Sequence, residues 1–436
     1  MHLYIIVEIL EREFLSKLLI AMESASKGIK VHMGRLNSYL KRDFFVPGII
    51  LHKSISPAPH RINEMIEFKN KKFIFTSLDE EVGLVNLDAK KYVKLRYSNK
   101  TVSLSDKIFT WGKFDYDNLV KNFKKHKSKF VLSGNPRIDF WRKDFKFFYK
   151  KKKFIYKDYI LFSFNFIKLS KKEIKEKLKM LKETNYDKRG FTKTFLKRRL
   201  KDMSKMIGEY SKLIRALSKE NNSTIIVRPH PTDKIENYDF LKKYSNVKVI
   251  KKGSISEWIH HAKIVIHSGC AGGLEASVRG RPTISFIPFK SFHGHPYCDK
   301  FSIKTKNVKQ CLDIIKKIDN NKIKNKKPNL KNFKLRAYNI DSLKPGYKII
   351  ADEFVKLMKI KKLKKSNNDI FLKYRFKLRE LRTKILNYKY GNVKFSTFDK
   401  KETLQIFEIL KEQNPKYRNL SIDFLRKDII YIKKNS

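Results

Sequence analysis

The chain has 436 residues, 41% hydrophobic and 13% aromatic, which excludes a disordered polymer and exceeds what one core usually organises, so two ordinary domains are expected with residues left over. Its 100 Lys and Arg against 43 Asp and Glu leave a formal charge of +57. Frequent Lys, Asn and Ile fit the composition of A/T-rich genomes, and the same charge also attracts polyanions.

The chain opens on HLYIIVEI, a strand pattern over 3–9 that meets Glu8, Glu11 and Glu13 at once. That is too short and too acidic in its flank for a signal peptide. Residues 12–27 carry apolar positions at helical spacing, and short apolar runs at 30–34, 48–52, 72–76, 107–111 and 130–133 predict further strands between helices. Such alternation implies a parallel sheet in a first α/β domain over 1–145. A Lys-rich stretch near 143–153 reads as a linker. The pattern then restarts with strands at 159–164, 224–227, 247–250, 264–267 and 283–287 and a charged helical region from 171 to about 218, giving a second α/β domain over 155–303. Beyond 303 an amphipathic helix at 307–318, a Lys/Asn-rich loop at 320–332 and a helix at 341–360 form a closing segment over 304–360. Residues 361–436 read as a basic helical extension packed on the body.

Cys270, Cys298 and Cys311 are odd in number and no CxxC occurs, so a reducing cytosol without structural zinc is expected. No run reaches the roughly 18 apolar residues of a spanning helix. The expectation is a cytoplasmic protein able to sit at the inner face of the cytoplasmic membrane, where each surface Lys or Arg adds on the order of 1 kcal/mol. No zinc-finger, ribonucleoprotein or basic-zipper pattern points to nucleic acid.

Two segments carry the chemistry. TIIVRPHP at 224–231 is a strand running into Arg228, His230 and Pro231. The two prolines fix φ and hold His230 on a stiff extended segment. A stiff imidazole can donate to a phosphate leaving group, and Arg228 can grip phosphate oxygens bidentately. The alternative is a strand end with a satisfied histidine. IVIHSG at 264–269 runs into CAGGLEASVRG, so that His267, Ser268, Gly269, Gly272 and Gly273 form a small-residue turn before a helix. Small residues allow close backbone approach to an anion and a helix N-terminus favours one, with Glu275 one turn further in. The alternative is a tight packing turn. Neither GxGxxG nor GxxxxGK[ST] is present, which excludes the standard dinucleotide and P-loop signatures.

GNPRID at 134–139, RPHP at 228–231 and HSGCAGGLEASVRGRP at 267–282 together resemble the bacterial surface carbohydrate biosynthesis proteins, a group related to two-lobed GT-B glycosyltransferases. Residues 7–34 and the acidic SLDEEVG at 77–83 are similar to that group's opening, and the likeness covers about residues 1–300. The resemblance implies a GT-B-like α/β fold, two Rossmann-like parallel-sheet domains facing a cleft, and transfer of a sugar from a nucleotide-activated donor onto a surface-polysaccharide or lipopolysaccharide acceptor. It further implies that Arg228 and His230, followed by Pro231, contact donor phosphate, that Ser268, Gly269, Gly272 and Gly273 after His267 face it, and that Glu275 holds ribose. Related capsule enzymes make a CMP-activated acidic sugar a candidate donor. Here Val82 separates the acid pair from Gly83, a departure from the group's DEEG-like segment.

An inverting transfer needs a base for the acceptor hydroxyl. Asp79, Glu80 and Glu81, just past the 72–76 strand, are the candidates, with Glu8 and Glu13 as competitors, and a helix-capping cluster is the structural alternative. No DxD pair follows a strand, so a reaction without metal or other cofactor is expected. His293, His295 and Pro296 in FHGHP lack an acidic partner and read as a loop beside the cleft. Pro136 and Arg137 shape a hinge, and His60 and Arg61 touch acceptor or cap a helix. Two rival functions share these residues: a UDP-N-acetylglucosamine 2-epimerase-like isomerase, which needs no acceptor, and a noncatalytic basic scaffold binding membrane or glycan.

Overall fold

The computed structural model describes residues 1–36, 40, 46–81, 88–151, 154–189, 191–220, 223–292, 296–323, 330–361, 374, 378, 381 and 397–435. The strands are β1 (His2–Ile6), β2 (Lys30–Gly34), β3 (Ile49–His52), β4 (Ile74–Leu78), β5 (Lys107–Thr110), β6 (Phe130–Leu132), β7 (Tyr159–Ser163), β8 (Ile225–Arg228), β9 (Val247–Val249), β10 (Ala262–His267), β11 (Thr283–Phe286), β12 (Ile303–Thr305), β13 (Leu420–Arg426) and β14 (Ile429–Lys434). The helices used below are α1 (Leu10–Ser26), α2 (Lys193–Glu220), α3 (Ile255–His261), α4 (Ala271–Val278), α5 (Gly346–Ile360) and α6 (Lys400–Glu412).

Two compact units divide the chain. The first comprises Met1–Gly83, Tyr92–Lys152 and Lys334–Ser436, and the second Leu84–Lys91 and Lys153–Phe333. The α/β class with two parallel sheets expected from sequence stands on the strand pairing itself.

In the first unit the sheet order is β13-β14-β2-β1-β3-β4-β5-β6, with β1 to β6 all parallel. β1 is buried along its whole length, as its unbroken apolar run requires of a strand covered on both faces. The helical pattern at 12–27 becomes α1, which buries Leu15, Leu18, Leu19, Met22 and Ala25.

Residues 361–436 are not helical throughout, which corrects the expected helical extension. Within them α6 is followed by a hairpin, β13 and β14, whose second strand pairs antiparallel with β2 and widens the sheet. The β-branched run IIYI buries Ile429, Ile430, Tyr431 and Ile432, and Tyr431 packs on the His32 ring at 4.8 Å. The pairing depends on Gly34. Its φ is +143° and an added Cβ would lie 2.1 Å from the Asp428 carbonyl oxygen, so only glycine lets β14 approach.

The stretch expected as a linker near 143–153 is packed structure up to its last turn. Phe145, Phe148 and Tyr149 are buried, with Phe140 meeting Phe145 and Phe148 at 5.0 and 5.3 Å. Aromatic burial there outweighs the local lysine content. The motif GNPRID anchors the returning chain. The Asp139 carboxylate accepts the Asn339 amide at 2.6 Å and the N–H groups of Gly346 and Tyr347 at 3.0 Å each, capping α5. Gly134, at φ +76°, leaves the space that Asn339 fills.

In the second unit six parallel strands run β12-β11-β10-β7-β8-β9. The chain lays down β7, β8 and β9 toward one edge and then returns to place β10 on the other side of β7. β7 is therefore the strand at which the winding reverses, and loops at its carboxyl end are where ligands bind in open α/β sheets. One face is sealed by α2 through Met203, Met206, Tyr210, Leu213, Ile214 and Leu217, packed with Phe162, Phe164 and Phe166.

Candidate functional site

Strand register brings the two sequence motifs of the second unit together. Ser163 at the end of β7 pairs with Arg228 of β8 on one side and with His267 of β10 on the other. With strands about 4.8 Å apart, the last residues of β8 and β10 lie roughly 10 Å from each other at one edge of the sheet.

Beyond β8, His230 is half-buried. Its Nδ1 lies 2.8 Å from the Thr232 hydroxyl and 3.3 Å from the Thr232 backbone N–H. An Nδ1 that accepts leaves the proton of the neutral ring on Nε2. The loop is pinned just past Pro231 by buried Asp233, which accepts from Tyr238 Oη at 2.6 Å, Asn237 Nδ2 at 2.7 Å and the N–H groups of Lys234 and Lys168 at 2.9 and 3.3 Å. Sequence inspection missed Asp233, although its place three residues after a Pro-flanked histidine was visible.

Arg228 has a different setting from the phosphate grip expected of it. Its guanidinium donates to the carbonyls of Ile250, Lys252 and Gly253 at 3.0, 2.5 and 2.5 Å and stacks over Trp258 at 5.2 Å. These contacts tie the end of β8 to the loop entering α3.

Beyond β10, His267 is fully buried. Burial holds its imidazole down at about 3, so it is neutral. Its Nδ1 accepts the Cys270 N–H at 3.3 Å, and its Nε2 donates to the Ser302 hydroxyl at 2.8 Å. The glycines that follow are explained by this ring and its neighbours. A Cβ on Gly273 would sit 2.2 Å from the His267 ring, and one on Gly272 would sit 2.7 Å from Ser163 Oγ. At the mouth of α4 the Gly273 N–H donates to the Cys270 sulfur at 3.4 Å, and the sulfur lies 3.4 Å from Ser163 Oγ. Gly269 turns at φ +59°, and the carbonyls of Ser268 and Gly269 accept from Asn165 Nδ2 at 2.7 and 3.2 Å. Asn165 was not singled out from sequence, because nothing in FSFNF marks it before β7 and β10 are known to be neighbours.

Glu275, expected at a ribose, is buried and ion-paired with Arg279 at 2.9 Å. Arg279 in turn bonds the Ser256 carbonyl and the His260 ring, each at 2.9 Å. The pair therefore joins α4 to α3.

In the first unit a buried charged cluster lies past the ends of β1 and β4. Glu13 accepts the N–H groups of Glu8 and Ile9 at 3.0 and 3.2 Å and the Lys17 ammonium at 2.6 Å. It is the capping carboxylate of α1. Burial would raise its carboxyl, but Lys17 and Arg12 outweigh that and lower it. Glu8 is ion-paired with Lys53. Asp79 is gripped by Arg96 at 2.8 and 2.7 Å, and burial still raises it against that pull. The Glu81 side chain is 51% exposed and meets Arg96 at 3.3 Å.

Glu80 differs from both neighbours. It is buried, and among the described residues its Oε2 receives a long 3.5 Å contact from Asn135 Nδ2 and its Oε1 has no hydrogen-bond partner, with Lys17 Nζ 3.7 Å away. Burial raises its carboxyl, Lys17 opposes this and Glu13 adds to it.

Of the other residues singled out, His60 is exposed while Arg61 lies against the His52 ring at 2.7 Å. Pro136 is buried at the start of a short helical turn, and Arg137 stacks over Trp111 at 5.7 Å. Val82, Gly83, His293 and His295 lie outside the described residues. Among the described residues no three His, Cys, Asp or Glu side chains group as a metal site, and no helix is long and apolar enough to cross a membrane.

No family model matches the chain, and no curated protein does. Among solved structures it is similar to the Methanocaldococcus jannaschii UDP-GlcNAc 2-epimerase in complex with UDP-GlcNAc and UDP, at 14% identity over 83% of this chain and 100% of that one, TM-score 0.48. It is similar also to the wall teichoic acid polymerase TagF, at 12% identity over 82% and 88%, TM-score 0.48. A third is Anabaena HepE in complex with UDP and glucose, at 10% identity over 83% and 98%, TM-score 0.34.

Proposed function

We propose that the protein is a glycosyltransferase that moves a sugar from a nucleotide-activated donor to a surface-polysaccharide or lipopolysaccharide acceptor. The observation that carries this reading is His230. It stands at the carboxyl end of β8, beside the reversal strand β7, with Nδ1 occupied as an acceptor and its proton on Nε2. That is the state in which an imidazole donates to a departing phosphate. The mouth of α4, past the neighbouring β10, adds the positive end of a helix at the same sheet edge.

The donor half of the reaction is assigned to the second unit and the acceptor half to the first. The bond from the sugar's anomeric carbon to the donor phosphate breaks as the acceptor oxygen bonds to that carbon. The electron pair leaves with the phosphate beside His230. Within the first unit Glu80, whose Oε1 is buried near Lys17 with no hydrogen-bond partner among the described residues, is the carboxylate best suited to take the acceptor proton. Asp79 is less suited, because Arg96 already occupies both its oxygens. A CMP-activated acidic sugar is one candidate donor, and the family resemblance does not decide the base.

Calorimetry of the full chain against CMP, CDP, UDP and GDP tests the nucleotide claim, with binding of one base class expected. Binding of none of the four would leave a noncatalytic scaffold. With the matching donor and an acceptor, His230→Ala should lower turnover about 100-fold or more without lowering the melting temperature. Near-normal turnover of that folded variant would refute the assignment. Isomerised donor formed without acceptor would instead identify an epimerase.

A further inference from the structure

The second unit carries a surface whose chemistry the transfer reaction does not use. Helix α2 is 28 residues long, about 42 Å at 1.5 Å per residue. Its buried residues Leu196, Met203, Met206, Tyr210, Leu213, Ile214 and Leu217 fall on one side. At 100° per residue the exposed Lys197, Lys201, Lys205, Lys212, Arg215 and Lys219 fall on the opposite side. The helix holds nine Lys and Arg against three acids, and each acid is engaged. Asp202 accepts the Phe292 N–H at 2.7 Å, Glu209 meets Lys212 at 2.9 Å and Glu220 meets Lys316 at 3.0 Å.

The placement of these charges is not what helix stability favours. The first turn of α2 has no acidic residue, and Lys193, Lys197, Arg198, Arg199 and Lys201 crowd the end where the helix dipole is already positive. Aromatic rings gather at that same end. Phe195 meets Phe191 at 4.9 Å and Phe292 at 6.2 Å, and Phe292 is 44% exposed.

The rings are partly covered by cations. Arg198 lies over Phe292 at 4.3 Å, Lys205 over Phe289 at 4.4 Å and Arg199 over Phe191 at 5.8 Å. A single-stranded nucleic acid stacks bases on open ring faces, and a cation already lies over one face of each of these rings. A lipid headgroup layer asks for something else: a straight basic face for its phosphates and an aromatic edge to enter the acyl boundary. We infer that the basic face of α2, with Phe292 at its rim, docks the second unit on an anionic membrane surface. The inference does not rest on the transferase reading.

The test is co-sedimentation of the full chain with vesicles of phosphatidylcholine alone or with about 30% phosphatidylglycerol, the anionic lipid supplying the surface potential. Wild type should bind the anionic vesicles, release in high salt and ignore the neutral ones. The triple variant Lys197→Glu, Lys201→Glu, Lys205→Glu should lose about 100-fold in partitioning. A control with the same charge change in the first unit, Lys121→Glu, Lys124→Glu, Lys125→Glu, should stay within about threefold of wild type. Phe292→Ala should lose about fivefold by removing the inserting ring. Melting curves establish that each variant is folded. Equal losses in the patch and control variants would overturn the inference, since overall charge would then suffice. So would wild-type binding to neutral vesicles, or binding of a single-stranded oligonucleotide that is lost in the patch variant while vesicles are ignored.

Discussion

Arg228→Lys separates a structural guanidinium from a ligand-binding one, because it keeps the charge and removes the fork. In wild type three carbonyls, those of Ile250, Lys252 and Gly253, receive the guanidinium. An ammonium at the end of a shorter stem can satisfy one of them. Two acceptors in a largely buried place are then left without their donor, at about 1–3 kcal/mol each, and the stacking on Trp258 weakens by about 0.5–1 kcal/mol. The sum is a loss of about 3–7 kcal/mol, which for a unit of this size lowers the melting temperature by roughly 10 °C or more. Calorimetric melting alongside nucleotide titration reads both consequences at once. The expected outcome is a large fall in melting temperature with nucleotide affinity, measured well below the new midpoint, changed less than about threefold. An unshifted melting temperature with affinity lost tenfold or more would refute the clamp and restore the phosphate contact expected from sequence.

Gly273→Ala places a Cβ 2.2 Å from the His267 ring and should destabilise the second unit by about 2–4 kcal/mol; His267→Ala in the same chain should recover part of that loss, a non-additivity that a double-mutant cycle measures. In the first unit burial pushes the Asp115 carboxyl up to about 7, against Arg336 and with Asp79 adding to the rise. The folded state then binds a proton that the unfolded chain releases near its ordinary value, so this group's stabilisation is complete below about pH 4 and is lost as pH rises through 7, about 4 kcal/mol in all. Asp115→Asn should flatten that part of the urea-unfolding profile and raise stability at pH 8 by about 2–4 kcal/mol; a variant less stable than wild type at pH 8 would refute the buried-acid account.

The parallel sheets were legible because strands covered on both faces are written as unbroken apolar runs. Residues 30–34 became β2 at the same bounds, and 130–133 became Phe130–Leu132. The hairpin at the end of the chain was not legible. LSIDFLR and IIYIKK are short runs beside many lysines, and what makes them strands is the free edge of β2 and the missing side chain of Gly34, nearly 400 residues earlier. The positions of the candidate residues at strand ends were legible, and their neighbours were not. Strand-end position identifies Arg228, His230 and the turn after His267, all at one sheet edge. It does not show that Arg228 reaches carbonyls 22 to 25 residues onward, or that Glu275 pairs with Arg279. GNPRID was recognisable as a motif, yet its function depends on Asn339 and Gly346, about 200 residues away.

The residues that sequence marks for ligand contact and the residues that the structure saturates internally are largely the same, and this overlap has a physical sense. An imidazole and a helix mouth stabilise a departing charge well only if neither must reorganise when the charge appears. In the second unit each is immobilised by a separate bracket. Arg228 fixes the end of β8 against the 250–253 loop, Asp233 closes the turn after Pro231 with four bonds, and the Glu275–Arg279 pair locks α4 to α3. The neutral His267 ring fills the space under Gly273. Removing one bracket should therefore loosen the placement of His230 or of α4 without deleting a contacting group, so that turnover falls further than nucleotide affinity does. A ligand-contact role for Arg228 or Glu275 would lower affinity first.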